Sequence, residues 1–269
     1  MPVLKNMRVV VHRMNLVIQS LIFSMKKGTK YKINTFSWFV ADIALYSSVF
    51  LLYLLLGLGL DNFGDYSKAE MLLYISTYSL VNNLYAVLFS EGVSAYSENI
   101  MNGYFVYDLL LPKRVLFSTV MKTINFPPLL STPFLIGINV CLLLSYSLSA
   151  SVVALYILSL IAGAFSILFL FVILYTFQLF KVRTAVLSGF VLDMLELSEK
   201  PDSVFPKKVR DFFTFIIPAF LMSALPSRIV LGRISVFELL WVFSAPFFLY
   251  GLFRLVFWWG IRKYESEVE

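Results

Sequence analysis

The sequence predicts an all-α integral membrane protein with six transmembrane helices. Three observations predict this class. First, 59% of the 269 residues are hydrophobic and only 14% are charged, whereas about a quarter of the residues in soluble domains are charged. Second, the mean hydropathy of the chain is +0.83. Third, the apolar residues gather in runs of about 20, the length that crosses the hydrocarbon core of a bilayer.

The residue inventory excludes several kinds of functional site. Cys141 is the only cysteine and His12 is the only histidine, which excludes disulfide pairs, cysteine-based metal sites and histidine-based catalytic triads. The glycine-rich ATP-binding pattern G-x-x-x-x-G-K-[ST] does not occur in the sequence. We therefore expect this chain to hold no catalytic residue, no metal and no ATP.

The N-terminal segment 1–33 is predicted to be an amphipathic helix in the membrane interface, followed by a basic stretch. Lys5, Arg8 and His12 recur at steps of three and four on one face, and apolar residues fill much of the rest. Seven Lys and Arg residues precede the first predicted span, and no acidic residue occurs before Asp42. By the positive-inside rule, the N-terminus is expected in the cytoplasm.

The first span is predicted at 34–60 and the second at 71–90, and the net acidic loop between them is expected outside the cell. The third span is predicted at 119–145. It contains the Pro127-Pro128 pair, which is expected to kink the helix because proline removes a backbone donor.

Residues 152–180 are apolar over a length greater than one span requires. We therefore predict a fourth span at 151–173 and a short fifth span at 180–197. The sixth span, at 236–260, ends in two tryptophans followed by two cations. This order is typical of the cytoplasmic interface, so both termini are expected in the cytoplasm.

Two segments between the spans have unusual composition. Residues 98–112 are too polar to span a membrane and too apolar for a free loop. Residues 203–233 contain an apolar stretch that Pro206, Pro218 and Pro226 break into short pieces. Because such a stretch is too short to cross, it is predicted to form a re-entrant or external helical hairpin before the last span.

Three patterns in the chain are found together in one transporter family. They are an Ile-x-x-Gly followed by two leucines and a proline, a proline-bracketed segment ending in Leu-Gly, and a basic-Tyr-acidic-Ser tail. The residues are Ile100, Gly103, Leu109, Leu110, Pro112, Phe205, Pro206, Pro218, Pro226, Leu231, Gly232, Lys263, Tyr264, Glu265 and Ser266. In these patterns the chain resembles the bacterial type-2 ABC exporter permeases, the ABC-2 type transmembrane subunits. It departs from them at Val106 and Glu267, which leaves the subfamily and substrate open.

The resemblance implies one transmembrane domain over residues 1–269 in the bacterial plasma membrane. Such a permease pairs with a second permease chain, identical or related, to form the transport path between them. Two separate ATPase subunits bind ATP and Mg²⁺ and dock beneath. The loop at 98–112 corresponds to the coupling helix that sits in a cleft of the ATPase, and the N-terminal helix also touches it. The chain itself is then not an enzyme.

The residues of the loop fit this role on physical grounds. Gly103 permits a sharp bend, and a short helix is predicted from Tyr104 to Leu111, which Pro112 ends. The side chains expected on one side of this helix are Tyr104, Tyr107, Asp108 and Leu111. Tyrosine and charged residues suit a wet protein interface. The alternative is a plain interfacial helix without a partner, just as the N-terminal helix could be only a lipid anchor.

Of the polar residues within the predicted spans, we single out Asp42, Asn82, Asn83 and Arg254. Polar side chains in a membrane usually face protein or a water-filled cavity. These residues are therefore expected either to line a transport path or to bond a neighbouring helix.

The leading functional prediction is a transmembrane subunit of an ATP-driven exporter, with membrane lipids around it and no nucleic acid as partner. A path lined with phenylalanine favours an amphiphilic or lipidic cargo. One alternative is a transporter driven by an ion gradient, a class that usually carries membrane-embedded acids or internal repeats. The other is a membrane scaffold or sensor subunit that transports nothing.

Overall fold

The structure is a computed structural model that describes residues 19, 22–24, 26, 28–59, 62–110, 116–120, 123–181, 189, 193 and 196–264. Its α-helices are α1 (Lys32–Gly59), α2 (Lys68–Tyr85), α3 (Glu91–Met101), α4 (Phe105–Leu110), α5 (Phe126–Leu143), α6 (Ala150–Thr176), α7 (Lys207–Asp211), α8 (Ala224–Val230) and α9 (Val236–Lys263). In the described part of the chain the only strands are β1 (Asn62–Phe63) and β2 (Tyr66–Ser67), which pair antiparallel in a small hairpin.

Five helices within these residues are long and apolar enough to cross a membrane. They are α1, the continuous helix Lys68–Met101, α5, Ala150–Phe180 and α9. The predicted class, an all-α membrane protein, is confirmed. Most of the predicted fifth span, 180–197, lies outside the described residues, as does the N-terminal segment with Lys5, Arg8 and His12. The count of six spans therefore stays a prediction.

The long helices run between two ends of one bundle. We call the end where Met101 and Phe180 lie the basal end, and the end where Lys68 and Val236 lie the distal end. Successive helices alternate in direction between these ends, except that Ala150–Phe180 and α9 are parallel. Lys181 lies at the basal end, whereas Ser198 lies at the distal end, where its carbonyl accepts a hydrogen bond from Tyr74 Oη over 3.2 Å.

The helices Lys68–Met101 and α6 form the centre of the bundle. In their most apolar windows 67% and 61% of the residues are buried, compared with 11% for α1. A buried polar cluster joins α2, α5 and α6: the Asn139 amide donates to Tyr156 Oη over 2.8 Å and to Ser76 Oγ over 2.9 Å. The Tyr156 hydroxyl also lies 2.9 Å from Thr77 Oγ1. These side chains provide one another with hydrogen-bond partners, which lipid chains could not provide.

Two sequence predictions about the helices are corrected. The second long helix does not end near residue 90. It continues through a π-helical turn, Ala86–Ser90, to Met101, a length of about 50 Å at 1.5 Å per residue. The hydrocarbon core is only about 30 Å thick, so one end of this helix extends beyond it.

The third span begins at Phe126 rather than 119, and Pro127 and Pro128 occupy its first turn. They start the helix rather than kink it. The N–H groups of a first turn have no hydrogen-bond acceptor within the helix, so proline loses no helical bond there. Residues 116–120 form a separate π-helical turn against α3. A Cβ added to Gly92 of α3 would lie 1.9 Å from the Val120 carbonyl oxygen, so only glycine allows this close approach.

Candidate functional site

A tight turn at the basal end reverses the chain after α3. Gly103 has φ of 73°, in the left-handed region that glycine adopts without strain. The Asn102 N–H donates to the Glu98 carbonyl over 2.9 Å, and the Gly103 N–H donates to the Ile100 carbonyl over 3.3 Å. The bend predicted at Gly103 is therefore present, and α4 starts directly after it.

The short helix α4 presents three apolar or aromatic side chains to its surroundings, and we call these residues the loop tip. Tyr104, Tyr107 and Leu110 are 57%, 65% and 75% exposed. They follow one another at steps of three, so they share one side of the helix. Two of them are among the predicted loop residues, whereas Leu111 and Pro112 lie outside the described residues.

Asp108 has an internal partner. Its Oδ2 accepts a hydrogen bond from the Asn99 amide over 2.8 Å, which ties α4 back to α3. The sequence grouped Asp108 with the exposed tyrosines. The structure gives its carboxylate a second role, because one oxygen holds the loop in place.

The loop is anchored by Phe105, which sequence reasoning missed. Its side chain is fully buried and makes edge-to-face contacts with three rings, which we call the aromatic cage. The ring centroids lie 5.6 Å away for Tyr96, 6.1 Å for Phe257 and 5.7 Å for Tyr264. Tyr96 comes from α3, and the other two come from the end of α9. The cage joins the loop to both helices.

Within the cage only Tyr264 belongs to a sequence pattern, the basic-Tyr-acidic-Ser tail that begins at Lys263. Phe105 is one of 27 phenylalanines in the chain, and nothing local separates it from those that face lipid. Its partners lie far away in the sequence.

A second polar site lies between the basal halves of α1, α2 and α5. The Asn83 amide donates to Ser131 Oγ and to the Pro128 carbonyl, each over 3.1 Å. Thr132 Oγ1 donates to Asn83 Oδ1 over 2.8 Å. Ser131 Oγ lies 3.3 Å from Asp42 Oδ2. Two predicted polar residues, Asp42 and Asn83, are therefore brought to one place.

Asp42 and Pro128 of this network line an open cleft of about 480 Å³, which we call the basal cleft. Its wall also includes Tyr31 just before α1, Trp38 from α1, Glu91 from α3 and Asn125 from the chain just before α5. Ligand sites in proteins commonly have volumes of about 300–1,000 Å³. The cleft thus has the size and the mixed polar and aromatic lining of a binding site.

The other two predicted polar residues do not join this site. Asn82 is half-buried next to Asn83 and takes no part in the hydrogen bonds of that network. Arg254 is exposed on α9, and its guanidinium lies 3.4 Å from Tyr250 Oη one turn earlier. Within the described residues neither Asp42 nor Arg254 forms an ion pair.

The proline-bracketed segment folds back into the distal half of the bundle. Pro206 precedes α7, and Pro218 precedes a buried 3₁₀ turn, Ala219–Met222. Pro226 lies in the first turn of α8. The Leu221 carbonyl oxygen would lie 2.9 Å from a Cβ at Gly163, which is well inside α6. The segment therefore enters the bundle, as a re-entrant hairpin would.

An ionic cluster fixes this segment at the distal end. The Arg228 guanidinium bonds the carboxylates of Asp202 and Glu238. The Tyr66 hydroxyl donates to Asp202 Oδ1 over 2.8 Å. Burial raises the pKa of the Tyr66 phenol, and the Asp202 carboxylate raises it further, so the phenol stays protonated as a donor. Asp202 is almost fully buried, with both oxygens paired.

Comparison with known proteins gives one match. A family model described as "ABC-2 family transporter protein" matches residues 43–268. No curated protein and no solved structure matches the chain.

Proposed function

The chain belongs to the ABC-2 family of transporter proteins, and from this we propose that it is the transmembrane subunit of an ATP-driven exporter. It is a multi-pass membrane protein of a transport system, and permeases of this family typically work with ATPase partners. In the proposed assembly, ATP and Mg²⁺ bind to two separate ATPase subunits. The present chain converts the closure of those subunits into a change in the transport path.

The observation that carries the proposal is the loop tip. Tyr104, Tyr107 and Leu110 are largely exposed at the end of a helix too long to lie wholly within a bilayer. Tyrosine is enriched in protein interfaces because its ring buries apolar area while its hydroxyl keeps a polar partner. Two tyrosines and a leucine on one side of a short helical segment suit a cleft in a soluble partner.

The aromatic cage supports the transmission of force from this contact. A coupling element must move as one body with the helices that it drives. Phe105 connects α4 to α3 through Tyr96 and to α9 through Phe257 and Tyr264. A push on the loop tip is thereby delivered to two long helices at their basal ends.

The basic residues support an orientation with the basal end in the cytoplasm. Lys26, Lys30 and Lys32 precede or begin α1, and Arg262 and Lys263 end α9. Cytoplasmic loops and termini carry an excess of such cations. ATP is hydrolysed on that side, so the loop tip would face the ATPase subunits.

The exposed surface of α1 supports a second permease chain beside this one. Only 11% of its most apolar window is buried within the chain, and the basal cleft opens beside it. Lipid covers such a surface in a monomer. In the proposed dimer, part of this surface lines the path shared with an identical or related permease.

A co-purification experiment tests the proposal. The tagged chain is extracted from its native host in mild detergent, and the proteins that co-purify in stoichiometric amount are identified. We expect a P-loop ATPase, and we expect it to be lost from the double variant Tyr104→Ala/Tyr107→Ala. The matched control is Phe237→Ala/Phe247→Ala, which removes two exposed rings from α9 and should retain the ATPase.

The double tyrosine variant is a cleaner test than one that includes Asp108. Asp108→Ala would also remove the internal bond to Asn99 and loosen the loop from within. A chain that purifies without any ATPase, even after cross-linking, would contradict the proposal. It would favour a transporter driven by an ion gradient or a scaffold subunit.

A further inference from the structure

The basal cleft has a chemical character that the coupling mechanism does not require. Its wall on the α1 side carries Tyr31, Thr35, Trp38 and Asp42, which recur at steps of four, three and four and so share one face of the helix. Tyr31 and Trp38 are more than half exposed. The Thr35 hydroxyl is occupied, because it donates to the Gly28 carbonyl over 3.0 Å. On this face two aromatic rings lead to the Asp42 carboxylate, and the outer ring, Tyr31, has the Lys30 ammonium 5.7 Å from its centroid.

Asp42 lies at the inner end of this row. Its carboxylate is half-buried and accepts one hydrogen bond, from Ser131 Oγ over 3.3 Å. Ser131 Oγ accepts from the Asn83 amide over 3.1 Å and also lies 2.9 Å from the Pro128 carbonyl, so its one proton is shared between that carbonyl and the Asp42 carboxylate. No Lys or Arg of the described residues lies within ion-pair distance of it. A carboxylate at membrane depth that has no cation partner among the described residues is a candidate functional feature.

Resting on the proposed export function, we propose that the basal cleft binds the cargo and that this cargo is an organic cation with an apolar body. Aromatic faces attract ammonium groups and other organic cations through the ring quadrupole, and tryptophan does so best. In this arrangement Trp38 and Tyr31 cover the apolar body of the ligand. The Asp42 carboxylate then neutralises the positive charge inside the membrane.

The chemistry of the cleft argues against a metal ion as the ligand. Calcium requires six to eight oxygen ligands and magnesium a near-octahedral set. No group of three or more acidic, histidine or cysteine side chains with metal-binding geometry occurs within the described residues. Two carboxylates on the cleft wall, Asp42 and Glu91, beside two aromatic rings fit a large, weakly hydrated organic cation better.

The test uses tetraphenylphosphonium as the cationic probe and tetraphenylborate as an anion of the same shape. Equilibrium binding of each ion is measured on the detergent-purified complex. Asp42→Asn should weaken binding of the cation by at least about tenfold, since one close opposite charge is lost. The control Asp65→Asn changes an exposed acid of the β1–β2 turn and should leave binding unchanged.

A second pair of variants tests the aromatic wall. Trp38→Leu should weaken binding of tetraphenylphosphonium by about 2- to 30-fold, the range of one cation–π contact. Trp259→Leu, on the exposed surface of α9, is its control. If the Asp42→Asn variant does not assemble, two other variants still test the proposal. Asp42→Glu retains the negative charge, and Trp38→Leu retains the polar network around Asp42.

The outcomes separate this proposal from the proposed function. Equal binding of the two ions, or binding of the cation that Asp42→Asn leaves unchanged, would overturn the cationic site. A complex that contains the ATPase but binds neither ion would also overturn the cationic site. In that case the proposed export function would stand. Asp42-dependent binding in a chain that never co-purifies with an ATPase would support the site and refute the ATP-driven mechanism.

Discussion

Replacing Phe105 with alanine is expected to release α4 from the bundle without unfolding the spans. Phe105 makes three edge-to-face contacts, at 5.6, 6.1 and 5.7 Å. One such pair contributes about 0.5–1.5 kcal/mol, so three contribute about 1.5–4.5 kcal/mol. Because every 1.4 kcal/mol is tenfold, the ratio of docked to undocked loop should fall by about 10- to 1,000-fold.

Hydrogen exchange and coupled turnover measure this effect together. In Phe105→Ala the amides of residues 103–110 should exchange faster, while those of the central helix α6 keep their protection. Transport per ATP hydrolysed should fall, since a detached loop cannot push α3 and α9. The control is Phe247→Ala, which removes a 77% exposed ring from α9 and should change neither quantity.

Two results would refute the reasoning at different points. If exchange at residues 103–110 is unchanged, the aromatic cage does not hold the loop. If exchange rises but transport per ATP is unaffected, the cage holds the loop but does not carry the force.

Three further predictions concern the loop turn, the distal cluster and the core. Gly103→Val places a branched side chain at φ of 73°, which costs about 1–2 kcal/mol. It should reduce ATPase co-purification, whereas Gly137→Ala, whose Cβ meets open space, should not. Arg228→Met leaves Asp202 buried without its cation and should destabilise the protein by about 3–5 kcal/mol. Its thermal midpoint should fall, and adding Asp202→Asn should recover part of the loss; no recovery would mean the pair is not coupled. Tyr156→Phe removes a hydroxyl shared by three helices and should cost about 1–3 kcal/mol in the free energy of unfolding, and an unchanged value would contradict the role of this cluster.

The class of the protein was predictable because its signals are local. A run of about 20 apolar residues crosses a bilayer whatever its neighbours are. A glycine before a short polar helix marks a bend because only glycine adopts positive φ without strain, and Gly103 does so. The breaks in the proline-bracketed segment were predictable for the same reason, since proline lacks a backbone N–H and so is favoured at helix starts, where Pro206, Pro218 and Pro226 lie.

Where the helices end at the basal end could not be predicted from the sequence and was decided by tertiary contacts. The sequence placed a loop from residue 91, where the structure continues a helix to Met101. The residues 91–101 are polar enough for a loop, yet they pack against the turn at 116–120 through Gly92. Tertiary contact decided this helix, as it commonly overrides local propensity.

The sequence by itself determined that this is an apolar helical membrane protein with a bent polar loop between two spans. Only the tertiary structure decided which side chains anchor that loop and which polar residues share a cleft. Phe105 is identical in sequence terms to Phe247, but one is enclosed by rings from distant segments and the other is exposed. Burial and pairing depend on residues that the fold brings together from far apart in the chain, so neither composition nor periodicity encodes them.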